Sequence, residues 1–365
     1  MAGTAAELPH IRAQVGRALA DFVAQQRDVL GRIDASLLQC LDAVDELVTG
    51  GKRLRPAFCY WGWRAAGRED CPQILTAAAA LELLHASALV HDDVMDGSDT
   101  RRGRPSVHRR FVGLHEVASW RGSAEAFGTG AAILVGDLLL AWTDELFHGS
   151  GLPQAALQNG RSVLDAMRTE VFSGQYLDLI GQASGAATVA AALRVVVYKS
   201  AKYTVERPLH LGAALAAGPG AGRDRAGRPA GLPAALSSYG IPLGIAFQLR
   251  DDILGVFGDP AETGKPVSDD VREGKRTVLI AVARERASAA QTGIIGRHLG
   301  DPLLSAEAAA QVRAVITDTG ALDECELMID RNVMEALSVL ERAPITAQSR
   351  DALAELAVAA TARRD

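Results

Sequence analysis

Apolar residues recur at steps of three, four and seven along most of this chain, and strict alternation of apolar and polar residues is rare. That period is typical of α-helices that turn one face toward a core. The clearest example runs from Gln73 to Met95, where Leu81, Leu84, Ala88 and Met95 share one stripe that we predict to be buried. The pattern predicts an all-α protein built from roughly ten or more helices.

Glycines interrupt the helical pattern at residues 113–130, and glycines and prolines interrupt it at residues 218–233; we predict loops at both places. The helical spacing of apolar residues continues, with similar composition, on both sides of each loop. Neither loop therefore marks a domain boundary, and we predict a single domain over residues 1–365.

The composition is that of a globular protein and argues against a nucleic-acid-binding one. Hydrophobic residues make up 48% of the 365 residues, which suffices for a large core, and the net charge of −6 argues against a nucleic-acid partner. The four cysteines are scattered without a C-x-x-C pair, as in proteins with reduced thiols. The first residues lack the pattern of a signal peptide, and no run approaches about 20 consecutive apolar residues. We therefore expect a soluble, cytoplasmic protein without stable membrane insertion.

An acidic cluster, HDDVMD, occupies the C-terminal end of the helix described above. At about 100° per residue, Asp92 and Asp96 lie within about 40° of each other on one face. A divalent cation would relieve the repulsion between these carboxylates, and hard oxygen ligands without a nearby thiol favour Mg²⁺. Gly97 then ends the helix, so that Arg101 and Arg102 follow on a loop able to fold back and bind phosphate oxygens. Alone, each feature also fits a solvated surface.

A second acidic pair, Asp251 and Asp252, lies near the end of another apolar helical run. Gln248 precedes the pair by three and four residues, so its amide shares their face. Lys265 and Lys275 follow in a segment that contains glycine and proline, where lysines can hold a leaving diphosphate as mobile point charges. Two acidic clusters, each followed by basic residues, favour a site for metal ions and diphosphates.

A basic turn that opens with two glycines, GGKRLRP, lies upstream at residues 50–56. The glycines give the backbone the freedom that lets Lys52 and Arg55 converge on an anion near a helix N-terminus. The spacing G-x-x-x-x-G-K-[ST] of a P-loop is absent. His85 shares the helix face of Asp92, although a lone helical histidine is more often structural.

Together these motifs resemble the trans-isoprenyl diphosphate synthases, or polyprenyl synthases, and within them the bacterial geranylgeranyl diphosphate synthases. The resemblance runs from Gly50 to about Val278 and covers GGKRLRP, LLHASALVHDDVMDGSDTRRGRPSVH, GQYLD, YKS and FQLRDD with two following Gly-Lys pairs. It implies an isoprenoid synthase fold, an antiparallel helical bundle around a central cavity. It also implies a homodimer, isopentenyl diphosphate and allylic diphosphates as substrates, and about three Mg²⁺ ions in each active site.

The resemblance assigns roles to individual residues. Catalysis would fall to Asp92, Asp96, Lys199, Gln248 and Asp251, and the magnesium ligands among them would be Asp92, Asp96 and Asp251. Isopentenyl diphosphate would be bound by Lys52, Arg55, His85 and Arg102. The allylic diphosphate would be bound by Arg101, Lys199, Ser200, Gln248, Lys265 and Lys275.

Two positions depart from the family pattern. Gly255 stands where the second cluster usually has a third aspartate, which leaves a metal role for Asp252 open. Ser200 stands where threonine is common, and the hydroxyl is retained.

In the family that the chain resembles, the product tail runs beside the helix that precedes the first acidic cluster. Ser87 and Ala88 are too small to block such a channel, whereas Leu84 and Leu81, one turn deeper, are bulky enough to end it. We therefore expect geranylgeranyl diphosphate as the product, with farnesyl or longer polyprenyl diphosphates as alternatives.

Two further interpretations are less favoured. A class I terpene cyclase would carry an Asn/Asp-x-x-Ser-x-x-x-Glu second motif, whereas this chain has a second Asp-Asp pair. A non-catalytic subunit of a two-component synthase would have lost its metal carboxylates, whereas both clusters here retain adjacent aspartates.

Overall fold

The computed structural model describes residues 7–185, 188–217, 231–259 and 268–361 of the chain. These residues are almost entirely helical, which confirms the all-α prediction. Up to residue 217 the elements are α1 (Glu7–Ile33), a 3₁₀ turn (Ala35–Leu37), α2 (Leu38–Val48), α3 (Leu54–Ala65), α4 (Pro72–Asp96), β1 (Thr100–Arg101), β2 (Arg104–Pro105), α5 (Val107–Val117), α6 (Ala124–His148), α7 (Gln154–Ser184), α8 (Val189–Val195), a π-helix (Val196–Glu206) and α9 (Arg207–Leu215). Beyond residue 230 they are α10 (Leu232–Phe257), α11 (Asp269–Arg272), α12 (Val278–Arg286), α13 (Ala289–His298), α14 (Ala306–Asp318), α15 (Ala321–Arg342) and α16 (Ala347–Thr361).

The packing of the backbone divides the chain into two compact units. Unit 1 consists of Met1–Arg161 and Pro208–Arg228, and unit 2 consists of Ser162–Arg207 and Pro229–Asp365. The single domain over residues 1–365 stays a prediction.

Helix α4 is the core element of unit 1, where it packs along α6 and against α1 and α3. Its first half is buried on nearly every side, because the alanines from Ala77 to Ala80 let neighbouring helices approach closely. The single buried stripe expected for this helix is therefore wrong. Met95, which was assigned to the same helical pattern, is 42% exposed.

The loop predicted at residues 113–130 is much shorter than expected. Helix α5 continues to Val117 and α6 begins at Ala124, so that a short turn connects them. Gly128 lies inside α6, where a Cβ atom would collide with the carbonyl oxygen of His108. Glycine serves close helix packing here rather than a turn.

The second predicted loop, at residues 218–233, lies mostly outside the described residues. Where the described chain resumes, Gly231 has a positive φ of 85° and α10 begins at Leu232. The last two residues of the predicted loop therefore form the start of a helix.

Helix α10 is the central element of unit 2 and packs against the π-helix and α15. Two glycines permit backbone contact with the π-helix: a Cβ atom on Gly174 of α7 would collide with the backbone of Lys199, and one on Gly244 of α10 with Cα of Ala201. A π-helix is rare and is often found at functional sites. The sequence pattern predicts a helix in this segment but not its wider winding.

Three of the described helices, α4, α6 and α10, are long and apolar enough to cross a membrane by length and composition. Polar residues interrupt each of these helices, so none of them is an unbroken apolar run. In α4, 72% of the most apolar window is buried inside the protein, compared with 39% in α6. The absence of stable membrane insertion stays a prediction, and α6 carries more exposed apolar surface than α4.

Candidate functional site

The last turn of α4 carries the first acidic cluster. Gly97 ends the helix with a left-handed φ of 64°, which glycine adopts without steric cost. Asp92 and Asp96 are four residues apart, so they share one face as predicted, and both are half-buried. Asp93 is only 1% exposed. Asp92 and Asp96 thus share one face of α4, and Asp93 lies on its buried side.

The two short strands after α4 pair with each other and return Arg101 to the acidic cluster. Its Nε donates to Oδ1 of Asp93 at 3.0 Å, its Nη2 also donates to Asp93, and its Nη2 lies 3.8 Å from Oδ2 of Asp92. The segment therefore folds back as predicted, with Asp93 as its anchor. The sequence motif alone indicates no role for Asp93. The available signal was its place about 100° around the helix from Asp92, on the inward side.

The basic turn of unit 1, residues 50–55, has an unusual backbone. Both glycines have positive φ, and so does Arg53, at 54°. Arg53 is 6% exposed and donates to Oε2 of Glu82 on α4 at 2.5 Å and to the carbonyl oxygen of Val48. In the sequence this arginine is distinguished only as part of the motif GGKRLRP.

The residues predicted to bind isopentenyl diphosphate all belong to unit 1. Nη2 of Arg102 lies 3.6 Å from the position of a Cβ atom on Gly51, and its Nη1 donates to the carbonyl oxygen of Leu47 at 3.3 Å. Burial and the nearby guanidinium groups of Arg55 and Arg102 lower the pKa of His85 well below its usual value of 6.5, so its imidazole is neutral at neutral pH. Such crowding of positive charge would be relieved by an anion.

The residues expected to set product length differ in burial. Ser87, Leu84 and Leu81 have no exposed surface, whereas Ala88 is half-buried. The hydroxyl of Ser87 has no hydrogen-bond partner among the described residues. Of the two small residues, Ala88 is the one that borders accessible space.

Unit 2 joins three of the predicted residues in a chain of hydrogen bonds. Ser200 in the π-helix donates its hydroxyl to Oε1 of Gln248 at 2.5 Å, and Nε2 of Gln248 donates to Oδ1 of Asp252 at 2.7 Å. Beside it, Nζ of Lys199 donates to Oδ2 of Asp178 on α7 at 2.7 Å. The predicted sharing of a face by Gln248 and the second acidic pair is present.

The second acidic pair has one neutral member at neutral pH. Burial, together with the negative charges of Asp270 and Asp251, raises the pKa of Asp252 to about 8. At Gly255, a Cβ atom would overlap the carboxylate of Asp270, which extends from α11. The space that the family pattern gives to a third aspartate therefore holds a carboxylate from elsewhere in the chain.

Of the two lysines expected after the second cluster, the structure describes one. Nζ of Lys275 lies 2.7 Å from Oε2 of Glu273 and 3.5 Å from Oδ1 of Asp270, and its side chain is largely buried. It is thus held in ion pairs rather than on a mobile loop. Lys265 lies outside the described residues.

The acidic residues fit a Mg²⁺ ion that is bound partly by the protein and partly by the phosphates of a substrate. Among the described residues, no group of three or more His, Cys, Asp or Glu side chains is arranged to hold a metal ion. Magnesium usually needs one or two protein carboxylates and takes its other ligands from phosphate oxygens and water. Asp92 and Asp96 provide such a pair in unit 1. Of the other residues predicted for catalysis or the allylic diphosphate, Arg101 also belongs to unit 1. The remainder within the described chain belong to unit 2: Lys199, Ser200, Gln248, Asp251 and Lys275.

Comparison with known proteins gives a consistent result. The family model described as polyprenyl synthetase matches residues 38–317. The chain is 30% identical to the geranylgeranyl diphosphate synthase of Mycobacterium tuberculosis, over 95% of this chain and 91% of that protein. It is 32% identical to the geranylfarnesyl diphosphate synthase of Aeropyrum pernix, over 83% and 87%. A crystal structure of the geranylgeranyl pyrophosphate synthase from Corynebacterium glutamicum, complexed with isoprenyl diphosphate and magnesium, superposes with a TM-score of 0.92 at 40% identity, covering 98% and 99% of the two chains.

Proposed function

Because the chain belongs to the polyprenyl synthetase family, we propose that it joins isopentenyl diphosphate to an allylic diphosphate, with geranylgeranyl diphosphate as its main product. The observation that carries this proposal is the arrangement in unit 1. His85, which has guanidinium groups around it, and the carboxylates of Asp92 and Asp96 lie on successive turns of α4. Together they offer an anion site and a metal site on the same helix.

The basic turn and its neighbours form the proposed site for isopentenyl diphosphate. Lys52 is exposed, Arg55 is half-buried and Arg102 lies against the turn at Gly51. Arginine donates two parallel hydrogen bonds to a phosphate, and lysine adds a compact charge. The neutral imidazole of His85 can donate or accept a hydrogen bond at the same diphosphate.

The allylic diphosphate is proposed to bind through Mg²⁺ and the remaining basic residues. Asp92, Asp96 and Asp251 would hold the metal, as about three ions in each active site. The donors to the diphosphate would be Arg101, Lys199, Ser200, Gln248, Lys265 and Lys275. Bound Mg²⁺ would supply Lewis-acid stabilisation of the charge that develops on the leaving pyrophosphate.

The reaction is a substitution at the allylic carbon. Arginine and lysine side chains orient the diphosphate and stabilise its negative charge as the allylic C–O bond breaks and pyrophosphate leaves. The double bond of isopentenyl diphosphate, positioned by Lys52 and Arg55, then forms the new C–C bond with the allylic cation. A proton lost from the adjacent carbon to a pyrophosphate oxygen restores the double bond. The product is one isoprene unit longer.

Three broader features complete the proposal. Residues 1–365 act as one catalytic domain in the cytoplasm. The protein forms a homodimer through the exposed face of α6, where Phe127, Ile133 and Leu134 are 38%, 42% and 64% exposed. A second copy of the same face would bury these apolar side chains, as symmetric dimer interfaces do.

The proposal is tested by incubating the purified protein with Mg²⁺, isopentenyl diphosphate and each allylic primer in turn. Dephosphorylated products are then separated by chromatography. We expect mainly geranylgeraniol, with farnesol or longer alcohols as the alternatives for product length. A hydrocarbon formed without consumption of isopentenyl diphosphate would identify a cyclase. No product at all from the protein alone, with normal Mg²⁺ and substrates, would identify a non-catalytic subunit.

A further inference from the structure

A buried ion pair lies inside the basic turn of unit 1. Arg53 is 6% exposed and Glu82 is 7% exposed, and Nη1 of the arginine lies 2.5 Å from Oε2 of the glutamate. The other terminal nitrogen of Arg53 donates to the carbonyl oxygen of Val48, at the end of α2. The guanidinium group thus connects α2, the turn and α4 through two hydrogen bonds.

The backbone of Arg53 is also unusual. Its φ of 54° lies in the left-handed region, which costs free energy for any residue with a Cβ atom. Removing two charges from water costs more, and a buried ion pair is weak evidence for stability by itself. Arg53 thus combines a strained backbone with a buried charge. A role in fixing the local geometry explains this combination better than a gain in stability does.

We propose that Arg53 and Glu82 are positioning residues that lock the basic turn onto α4 beside His85, so that Lys52 and Arg55 meet the same diphosphate. The inference rests on the proposed function, because it concerns the isopentenyl diphosphate site. Glu82 and His85 are three residues apart on α4 and therefore share one face. An anchor at Glu82 therefore attaches the turn to α4 within about one helical turn of His85.

Arg53 is distinguished from the residues that would bind the ligand by its burial and its partners. Lys52 on one side is exposed and Arg55 on the other is half-buried, whereas Arg53 points inward. Both of its terminal nitrogens already donate within the protein. Arg53 acts through the turn rather than by touching the diphosphate.

The decisive variant is Glu82→Gln, which keeps the size of the side chain and removes its charge. If Arg53 were a diphosphate ligand, removing a neighbouring negative charge would leave binding of the anion unchanged or tighter. If the pair positions the turn, the same variant weakens binding although the site has become more positive. The two roles therefore predict changes of opposite sign.

The measurement is calorimetric titration of the full-length protein with isopentenyl diphosphate alone, which cannot react without an allylic primer. We expect Kd to rise by on the order of tenfold in Glu82→Gln and in Arg53→Met. The double variant Arg53→Met/Glu82→Met leaves no unpaired buried charge, and we expect it to bind more tightly than Arg53→Met. In turnover assays, KM for isopentenyl diphosphate should rise while KM for the primer stays within about twofold.

The matched control is Arg27→Met, which removes an exposed arginine whose Nη2 lies 2.9 Å from Asp42 in the same unit. It should leave Kd unchanged, and circular dichroism should show that all variants remain folded. Unchanged or tighter binding by Glu82→Gln would overturn the positioning role and leave the proposed function intact. A wild-type protein that does not bind isopentenyl diphosphate would overturn the site assignment and this inference with it.

Discussion

At the scale of single residues, neighbouring acids of the same cluster have different charges and tasks because their surroundings differ. Asp93 is buried against the guanidinium group of Arg101, whereas the adjacent Asp92 is half-buried. In the second cluster, burial raises the pKa of Asp252 to about 8. The two aspartate clusters thus contain an anchor, a candidate metal ligand and a neutral carboxyl group, although each of these residues is an aspartate.

The raised pKa of Asp252 predicts a stability that depends on pH. In the unfolded chain this carboxyl ionises near 3.8, whereas in the folded protein it keeps its proton up to about pH 8, so the folded state loses stability as pH rises between these values. Asp252→Asn cannot ionise and still accepts the hydrogen bond from Gln248. We expect urea unfolding in EDTA to show the variant more stable by at least about 1 kcal/mol at pH 7.5. The difference should disappear near pH 4, and a difference that is independent of pH would contradict the assignment.

The proposed metal ligands predict a loss of turnover. Asp92→Ala and Asp251→Ala each remove a carboxylate that would hold Mg²⁺, and loss of this charge stabilisation should lower kcat by on the order of 100-fold or more. Steady-state assays at saturating Mg²⁺ measure the effect. Asp28→Ala, which removes an exposed acid on α1 in unit 1, is the control and should retain normal kcat. Near-normal turnover in Asp92→Ala would refute the metal assignment.

At the scale of secondary-structure elements, two segments place the predicted residues: α4 and the π-helix. Successive turns of α4 carry Glu82, His85, Ala88 and Asp92, so the anchor, the basic cluster, the small residue and the acid follow one another along a single axis. The π-helix is held against α7 and α10 where glycines remove the steric barrier to backbone contact. Its position depends on glycines far away in the sequence.

The close contact at Gly174 predicts a specific effect on Lys199. A Cβ atom at Gly174 would collide with the backbone of Lys199, so Gly174→Ala should displace the π-helix and lower stability by about 1–3 kcal/mol. We expect kcat to fall as well, because Lys199 and Ser200 move together. Gly181→Ala on the same helix is the matched control, since no atom beyond the neighbouring backbone of α7 lies within 4 Å of the added carbon. It should be neutral or stabilise α7 by up to about 1 kcal/mol.

The position of Ala88 on α4 predicts control of product length. Ala88 is half-buried, whereas Ser87 is fully buried, so a phenylalanine at 88 can enter the proposed channel with less repacking of the core. Ala88→Phe should shorten the main product by about one isoprene unit, because the ring lies about one helical turn from Asp92. Chromatography of the dephosphorylated products measures this length. An active variant with unchanged products would show that the tail follows another path.

At the scale of the whole molecule, each unit has its own core, and apolar surface remains on the outside of α6. In unit 1, α4 packs along α6, yet Leu134 of α6 is 64% exposed and Ile133 is 42% exposed. Monomeric proteins seldom leave neighbouring large apolar residues exposed along a helix without a function for them. This surface supports the proposed homodimer.

The proposed dimer predicts the effect of a charge on α6. Leu134→Glu would place a carboxylate in the apolar interface twice, once from each copy, and should weaken dimerisation by on the order of 100-fold. Sedimentation velocity over a range of protein concentrations measures the change. Met334→Glu, at a 72% exposed position of α15, is the control and should leave the oligomeric state unchanged. Equal sedimentation of the wild type and Leu134→Glu would place the interface elsewhere.

The sequence by itself determined the helical class, the end of α4 at Gly97 and the grouping of Asp92 with Asp96, because helix period and glycine conformation are local properties. It misplaced the boundaries of the 113–130 loop, since glycines in close helix contacts and glycines in turns look the same in a sequence. Tertiary structure decided the partner of each charged group: Glu82 for Arg53, Asp93 for Arg101 and Asp270 in the space beside Gly255. The spacing of residues along the chain does not reveal these partners. The burial and charge of a group depend on its neighbours in space rather than along the chain.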